Sequence, residues 1–519
     1  MAVALPDFLW MCIVGGFFGF VYAFGIGAND VANAFASTVA AKSLTLKQAV
    51  IVASIFEFCG AYFLGASVTS TIRSKIFSTK LYADIPEIVM LGMMTSLIVA
   101  AFMLLTATHF ALPVSTTHTI VGCIMGFSIC AKGFDSIDWQ VAKQIFISWV
   151  ASPLVSGAVS FVLFGCVKYG ILQSEFAFDR AVLTFPIVLT VGIGIDLFYI
   201  LYKGLNNKSK TSNLELKKVL PIAFGIGAFC GLVWLVILGP IVKKRILAQI
   251  AKEEAEAEVA PADVEDGLPE KATEEPSKAV DNVGVDTDVT DTEKSVEVET
   301  EDVVPETSVR KSLAQKIKDA TYGQDLKSQS MHESKGAKRL WDNAEMYDPH
   351  AEALFSYIQV FTACLNSFAH GANDVANAIA PISAIVFIYQ TGELESKSPV
   401  QKWVLAYGGV GIVVGLALYG YKVMKSLGFK VTPLSPSRGA CAELAASLFV
   451  VTASFLGIPV SSTQAIVGGV AGVGLVNGRK NLQWLFLLRV CIGWVVVFFS
   501  AVILSAGLFS FVAFSPTLI

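Results

Sequence analysis

Charge is scarce in this sequence. Asp, Glu, Lys and Arg make up 15% of its 519 residues, hydrophobic residues 54%, and mean hydropathy is +0.63. Ordinary soluble domains are about a quarter charged, so the shortage sets aside a multidomain soluble protein and points to the membrane class. The length is better spent on helices that each need about 20 apolar residues. Paired cysteines are also lacking. The nine Cys all fall in apolar stretches, none forms C-x-x-C and none clusters with His, which argues against a disulfide scaffold or a metal site and for small packing residues. The amino end has no basic n-region and no small-residue cleavage site, so Phe8–Ile26 is expected to be a retained first span rather than a signal peptide.

The charge that is present is unevenly placed. Residues Lys243 to Pro349 hold 26 acidic and 15 basic residues, which leaves 16 acidic and 23 basic for the remainder. An acidic insert therefore divides a mildly basic membrane body, and nothing in it indicates nucleic-acid binding. Aromatics are almost absent from 252–308, which is rich in Glu, Asp, Val, Thr and Pro. That stretch is expected to be disordered, with a short amphipathic helix at the membrane surface within 311–350. Apolar runs near 8–26, 47–67, 88–108, 114–131, 143–167, 182–202, 219–242, 352–369, 400–424, 440–457, 463–476 and 484–514 predict ten to twelve membrane helices or half-helices. Lys243, Lys244 and Arg245 favour a cytoplasmic insert, although Lys203, Lys208, Lys210, Lys217 and Lys218 on the preceding loop compete.

Two motifs recur in order. GANDVANA stands at 27–34 and again at 371–378; LPVSTTHTIVG at 112–122 returns as IPVSSTQAIVG at 458–468. From Asn29 to Pro113 is 84 residues and from Asn373 to Pro459 is 86, so the chain is a duplicated unit. Transporters built this way place solute and ions at the repeat interface, marked by Gly- or Pro-interrupted apolar segments. If the first motif is helical, Asn29 and Asn33 share a face with Asp30 close by. Gly25 and Gly27 are expected to loosen the preceding helix and leave a half-helix whose first turn offers a carboxylate and amide oxygens, hard ligands that suit a hard cation. Capping alone is the simpler role for Asn29 and Asp30. An intramembrane carboxylate costs about 2.5–3.5 kcal/mol on insertion scales, and carrying two of them, Asp30 and Asp374, argues against it. In the second motif Pro113 and Pro459 are expected at helix starts. Ser115, Thr116 and Thr117, with Ser461, Ser462 and Thr463, then face a positive dipole end, which is an anion site. Glu57, Glu443, Arg438, Asp196 and Arg489 are the other intramembrane charges.

These doubled motifs, with SIFEFCGAYFLGASVTSTI at 54–72, closely resemble the PiT family of inorganic phosphate transporters over roughly 8–242 and 352–514. The resemblance implies an all-α integral membrane protein of about twelve transmembrane segments in two inverted repeats with broken helices. It divides the chain into a membrane half at 1–242, an acidic cytoplasmic loop at 243–350 and a second membrane half at 351–519. It further implies sodium-coupled phosphate import, proton-coupled in some members; proton-coupled phosphate or sulfate transport is the alternative, and the plasma membrane is the default location for a chain with no targeting signal. Asn29, Asp30, Asn33, Asn373, Asp374 and Asn377 would serve ions and substrate, and Glu57 matches a family glutamate implicated in transport. Read from the residues alone, Glu57 and Glu443 are sodium ligands or proton-coupled groups, with a structural pair to Arg438 or another base as the equal alternative. The six hydroxyls would hold phosphate, whose proton can bond a carboxylate where sulfate has none to give. Sodium is cargo and no resident cofactor is implied; a homodimer is compatible with the sequence. Ser115 and His118 also sit one helical turn apart, the spacing of a nucleophile and base, but the second copy has Gln464 for His118, and transport needs both copies where catalysis does not.

Overall fold

Apolar chain can cross a bilayer as α-helix because each backbone hydrogen bond closes within the segment. The structure is a computed structural model that describes residues 5–204, 215–259, 341, 344–394, 400–421, 423–424 and 431–514, with 32, 33, 203, 204 and 253–259 given by backbone alone. Among the described residues, ten helices are long and apolar enough to span a membrane. The first repeat contains α1 (Leu9–Ile26), a π-helical turn (Gly27–Val31), α2 (Ala32–Ala40), α3 (Leu46–Leu64), α4 (Ala66–Ser74), α5 (Pro86–His109), α6 (Thr116–Lys132) and α7 (Trp139–Val167). Helices α8 (Ala177–Tyr199), α9 (Leu216–Val233) and α10 (Gly239–Val259) stand outside the duplication. The second repeat contains α11 (Pro349–Thr391), α12 (Lys402–Tyr419), α13 (Pro436–Leu456), α14 (Ser462–Val476) and α15 (Trp484–Phe514).

The repeats are inverted. α1–α2 and α11 carry the same octapeptide, yet they run antiparallel. The Leu5 N–H donates to the Tyr389 carbonyl at 3.0 Å at one end, and at the other Ser43 Oγ donates to Gln359 Oε1 at 2.5 Å. Matching tryptophans open α7 and α15: Trp139 Nε1 donates to the Phe134 carbonyl at 3.1 Å and Trp484 Nε1 to the Arg479 carbonyl at 2.9 Å. Both rings are exposed, as in the aromatic belts at bilayer surfaces. The repeats also interlock, since α6 packs on α15 and α14 packs on α7. Ile147, Leu183, Phe229 and Ile503 point outward from α7, α8, α9 and α15, while α5, α11 and α13 fill the interior.

Two helix crossings repeat with the same register. A Cβ added at Gly27 would lie 1.8 Å from the Ile412 carbonyl oxygen, and one at Gly415 would lie 1.8 Å from that of Phe24. Across the other crossing, Gly371 would meet the Glu57 oxygen at 2.2 Å and Gly60 that of Phe368 at 2.0 Å. Only glycine permits such approach. The pattern pairs α1 on α12 with α11 on α3 and makes Ile412 the counterpart of Glu57.

Three expectations need correction. Helix α10 continues to Val259, past Lys252 where disorder was expected, because Lys, Ala and Glu are strong helix formers. GANDVANA does not begin a half-helix. In the first copy its front half forms the π turn, and in the second it lies inside the unbroken α11. The breaks fall before α6 and α14, where Ser115 and Ser461 cap the helices by accepting from the His118 and Gln464 N–H groups, both at 3.3 Å. Pro113 and Pro459 therefore precede the cap instead of opening the helix, since a serine hydroxyl can satisfy an orphan N–H and proline cannot. The rest of 252–308, and the amphipathic helix expected within 311–350 except at 341 and 344–350, lie outside the described residues.

Candidate substrate and ion site

Asp30 is held on the π turn and Asp374 mid-way along α11, and both are buried where the starts of α6 and α14 meet. Asp30 Oδ2 accepts from Thr116 Oγ1 at 2.6 Å, and its Oδ1 accepts a short bond from Thr463 Oγ1. One carboxylate is thus bound by hydroxyls from both repeats. Asp374 Oδ1 accepts from Asn377 Nδ2 at 2.9 Å, with Thr117 Oγ1 close by at 3.4 Å. Asn377 Nδ2 also reaches Thr116 Oγ1 at 3.1 Å and Thr117 Oγ1 at 3.2 Å. Thr117 donates across the repeat boundary to the Val460 carbonyl at 2.8 Å. Among the described residues, Asp374 Oδ2, Asn373 Oδ1, Asn377 Oδ1 and His370 Nε2 are buried without an aligned hydrogen-bond partner. Buried polar atoms in this condition are costly unless a ligand or ion meets them.

The other expected residues divide. Asn29 is spent on the backbone before α6: its Nδ2 donates to Thr108 Oγ1 and the Leu112 carbonyl, both at 3.0 Å, and its Oδ1 accepts the Val114 N–H at 3.2 Å. It pins the helix break in place. Asn373 makes the matching bond, Nδ2 to Ser454 Oγ at 3.0 Å, and keeps its Oδ1 open. The Asn33 side chain lies outside the described residues. Glu443 sits in a separate cage, taking Ser37 Oγ at 2.6 Å, Thr38 Oγ1 at 2.7 Å, Thr362 Oγ1 at 2.8 Å and Gln359 Nε2 at 3.2 Å. Glu57 contacts His370 Nδ1 at 2.8 Å and accepts from Ser367 Oγ at 3.0 Å.

Sequence reasoning missed His370. Its Nε2 comes within 3.2 Å of Asp374 Oδ2 without aligning into a hydrogen bond. One ligand atom from each of Asp30, His370 and Asp374 lies within 4.8 Å of the others, close enough for the three to share a cation. The signal was present in the repeat: the residue before GANDVANA is His370 in one copy and Ile26 in the other. His118, the more conspicuous histidine, stacks edge-on against Trp149 at 3.7 Å between ring centres and takes no part in this cluster.

A model describing the phosphate transporter family matches residues 26–505. The phosphate-repressible phosphate permease pho-4 of Neurospora crassa is 30% identical, covering 99% of this chain and 99% of its own. A putative phosphate permease of Thermococcus kodakarensis is 32% identical, covering 98% of each chain, and sodium-dependent phosphate transporter 1 of Rattus norvegicus is 29% identical over 97% of this chain and 95% of its own. A solved structure described as the sodium-dependent phosphate transporter superposes with a TM-score of 0.71 at 26% identity, covering 98% of this chain and 100% of that one.

Proposed function

The chain belongs to the phosphate transporter family, and from that premise we propose that it is a secondary active transporter importing inorganic phosphate with sodium ions by alternating access. The observation that carries this reading is the meeting of Asp30 and Asp374, one from each inverted repeat, between two capped helix starts. Two carboxylates beside an anion repel it unless cations stand between them. Sodium bridging Asp30, Asp374 and Asn377 fulfils that need. Phosphate then rests on the free N–H groups of α6 and α14 and on the hydroxyls of Thr116, Thr117, Ser462 and Thr463, while Ser115 and Ser461 hold each first turn. Phosphate keeps a proton at neutral pH, which a carboxylate such as Asp30 can accept in a hydrogen bond. Glu443 supplies a second cation station, since the hydroxyls that now donate to it can turn a lone pair toward an ion. Inverted repeats that interlock around one site support alternating access. We place the protein in the plasma membrane with the 243–350 segment in the cytoplasm.

Replacing sodium by choline at constant pH separates this reading from its proton-coupled alternative. Radiolabelled phosphate uptake into proteoliposomes is expected to fall to background in choline. Uptake that persists and follows an imposed proton gradient would instead assign the protein to proton coupling.

A further inference from the structure

Glu57 and His370 break the two-fold pattern of the membrane body. Where α3 crosses α11 they form a buried carboxylate–imidazole pair at 2.8 Å. At the equivalent crossing of α1 and α12 their counterparts are Ile412 and Ile26, both fully buried. A polar pair on one side of a duplicated unit, beside one of its two carboxylates, calls for a role that the other side does not have.

We infer that Glu57 is a positioning residue that acts on the cation site through His370, instead of a ligand of the transported ions; this rests on the assignment of Asp30 and Asp374 as cation ligands. Glu57 Oε2 is held by the His370 ring at 2.8 Å, which unlike a hydroxyl cannot turn a lone pair toward an ion, and Oε1 accepts from the Ser367 hydroxyl at 3.0 Å. Its backbone is fixed as well, because the carbonyl of Glu57 lies against Gly371 so closely that a Cβ there would stand 2.2 Å away. The imidazole stands between Glu57 and Asp374, with Nδ1 toward the former and Nε2 within 3.2 Å of Oδ2 on the latter. His370 belongs to the cluster of candidate ligand atoms with Asp30 and Asp374, and Glu57 does not. A carboxylate on one ring nitrogen sets the orientation of the ring and which nitrogen faces the ion, the part that outer carboxylates play behind ligating histidines. Glu57 therefore governs the shape and field of the site without touching what passes through it.

The test is a double-mutant cycle on the sodium activation of phosphate uptake in proteoliposomes. Glu57→Gln and His370→Gln are each expected to raise the half-activating sodium concentration about tenfold, the lower end of what outer-shell substitutions cost a metal site. The double variant should match His370→Gln alone, because Glu57 has nothing left to position. A double variant worse than His370→Gln by the factor that Glu57→Gln costs alone would make Glu57 an independent ligand and overturn the inference. So would a Glu57→Gln variant with unchanged sodium activation. If a single variant fails to fold, Glu57→Ile with His370→Ile copies the protein's own apolar pair. It should purify as a monodisperse protein with the sodium shift of His370→Gln, and any further loss again overturns the inference. Asp30→Asn and Asp374→Asn keep the two readings apart. Sodium activation that survives them removes the cation site itself. Sodium activation that is lost in them, while the Glu57 and His370 effects multiply, removes only the positioning role.

Discussion

Asp30→Asn and Asp374→Asn are each expected to reduce sodium-driven phosphate uptake by at least about a hundredfold. Each substitution keeps the size of the side chain, removes its charge and turns one accepting oxygen into a donating amide nitrogen. For Asp30 that charge organises Thr116 and Thr463, one hydroxyl from each repeat; for Asp374 it organises Asn377 and Thr117. Substitutions behind a metal ligand already cost about 10–100-fold in affinity, so loss of a charged ligand itself is expected at or beyond the hundredfold end, roughly 2.7 kcal/mol. Uptake into proteoliposomes measures the loss, and size-exclusion of the purified variants shows that it does not come from unfolding. Thr463→Val tests the same cluster more gently. It deletes the hydroxyl that α14 gives to Asp30 and should raise KM for phosphate and sodium together, because it loosens both half-sites. Wild-type uptake by the two Asp variants would leave the site without its cation side and end the proposed mechanism.

The second large effect concerns assembly. Gly27→Ala and Gly415→Ala each push a methyl to 1.8 Å from a backbone carbonyl, and Gly371→Ala and Gly60→Ala do so at 2.2 and 2.0 Å. Backbone in a packed helix cannot step aside as a side-chain end can. The cost should exceed the roughly 1–3 kcal/mol typical of overpacking, and folded protein in the membrane should fall severalfold. Gly16→Ala is the control, because nothing lies within 4 Å of the added methyl. Fluorescence-detected size-exclusion of the tagged variants gives the comparison directly. Equal yields for Gly27→Ala and Gly16→Ala would contradict the tight crossing.

The duplication, the helical class and the residues that converge were legible because the two motifs recur verbatim at nearly equal spacing. Composition and apolar run length then determine most of the spans. Three things were not legible, each for a definite reason. Identical octapeptides take two conformations, a π turn at Gly27–Val31 and regular helix within α11, so the difference arises from packing and not from the motif. The roles of Asn29 and Asn373 diverge through partners about eighty residues away, Leu112 and Val114 for one and Ser454 for the other. Sequence spacing says which residues are equivalent, but not which carbonyl each will meet. The partnership of Glu57 with His370 depends on the crossing of α3 and α11, which unites residues 313 positions apart. His370 itself stood beside the motif, and its replacement by Ile26 in the first copy is visible once the two copies are aligned.

The interlocking of the repeats bears on how such a chain could arise. Asp30 is bound by Thr116 of its own repeat and Thr463 of the other, and Thr117 reaches Val460 across the boundary. Neither half encloses a complete site. A single ancestral unit that inserted into the membrane in both orientations would have met its own inverted copy and built the shared core from one gene. Two copies joined in one chain need not carry the same residues. Glu57 opposite Ile412, and Glu443 sixteen residues before Pro459 where the first repeat has Leu97 sixteen before Pro113, are the freedoms that fusion made available. The symmetric part of the molecule preserves what one gene could specify, and its asymmetries record what two were needed for.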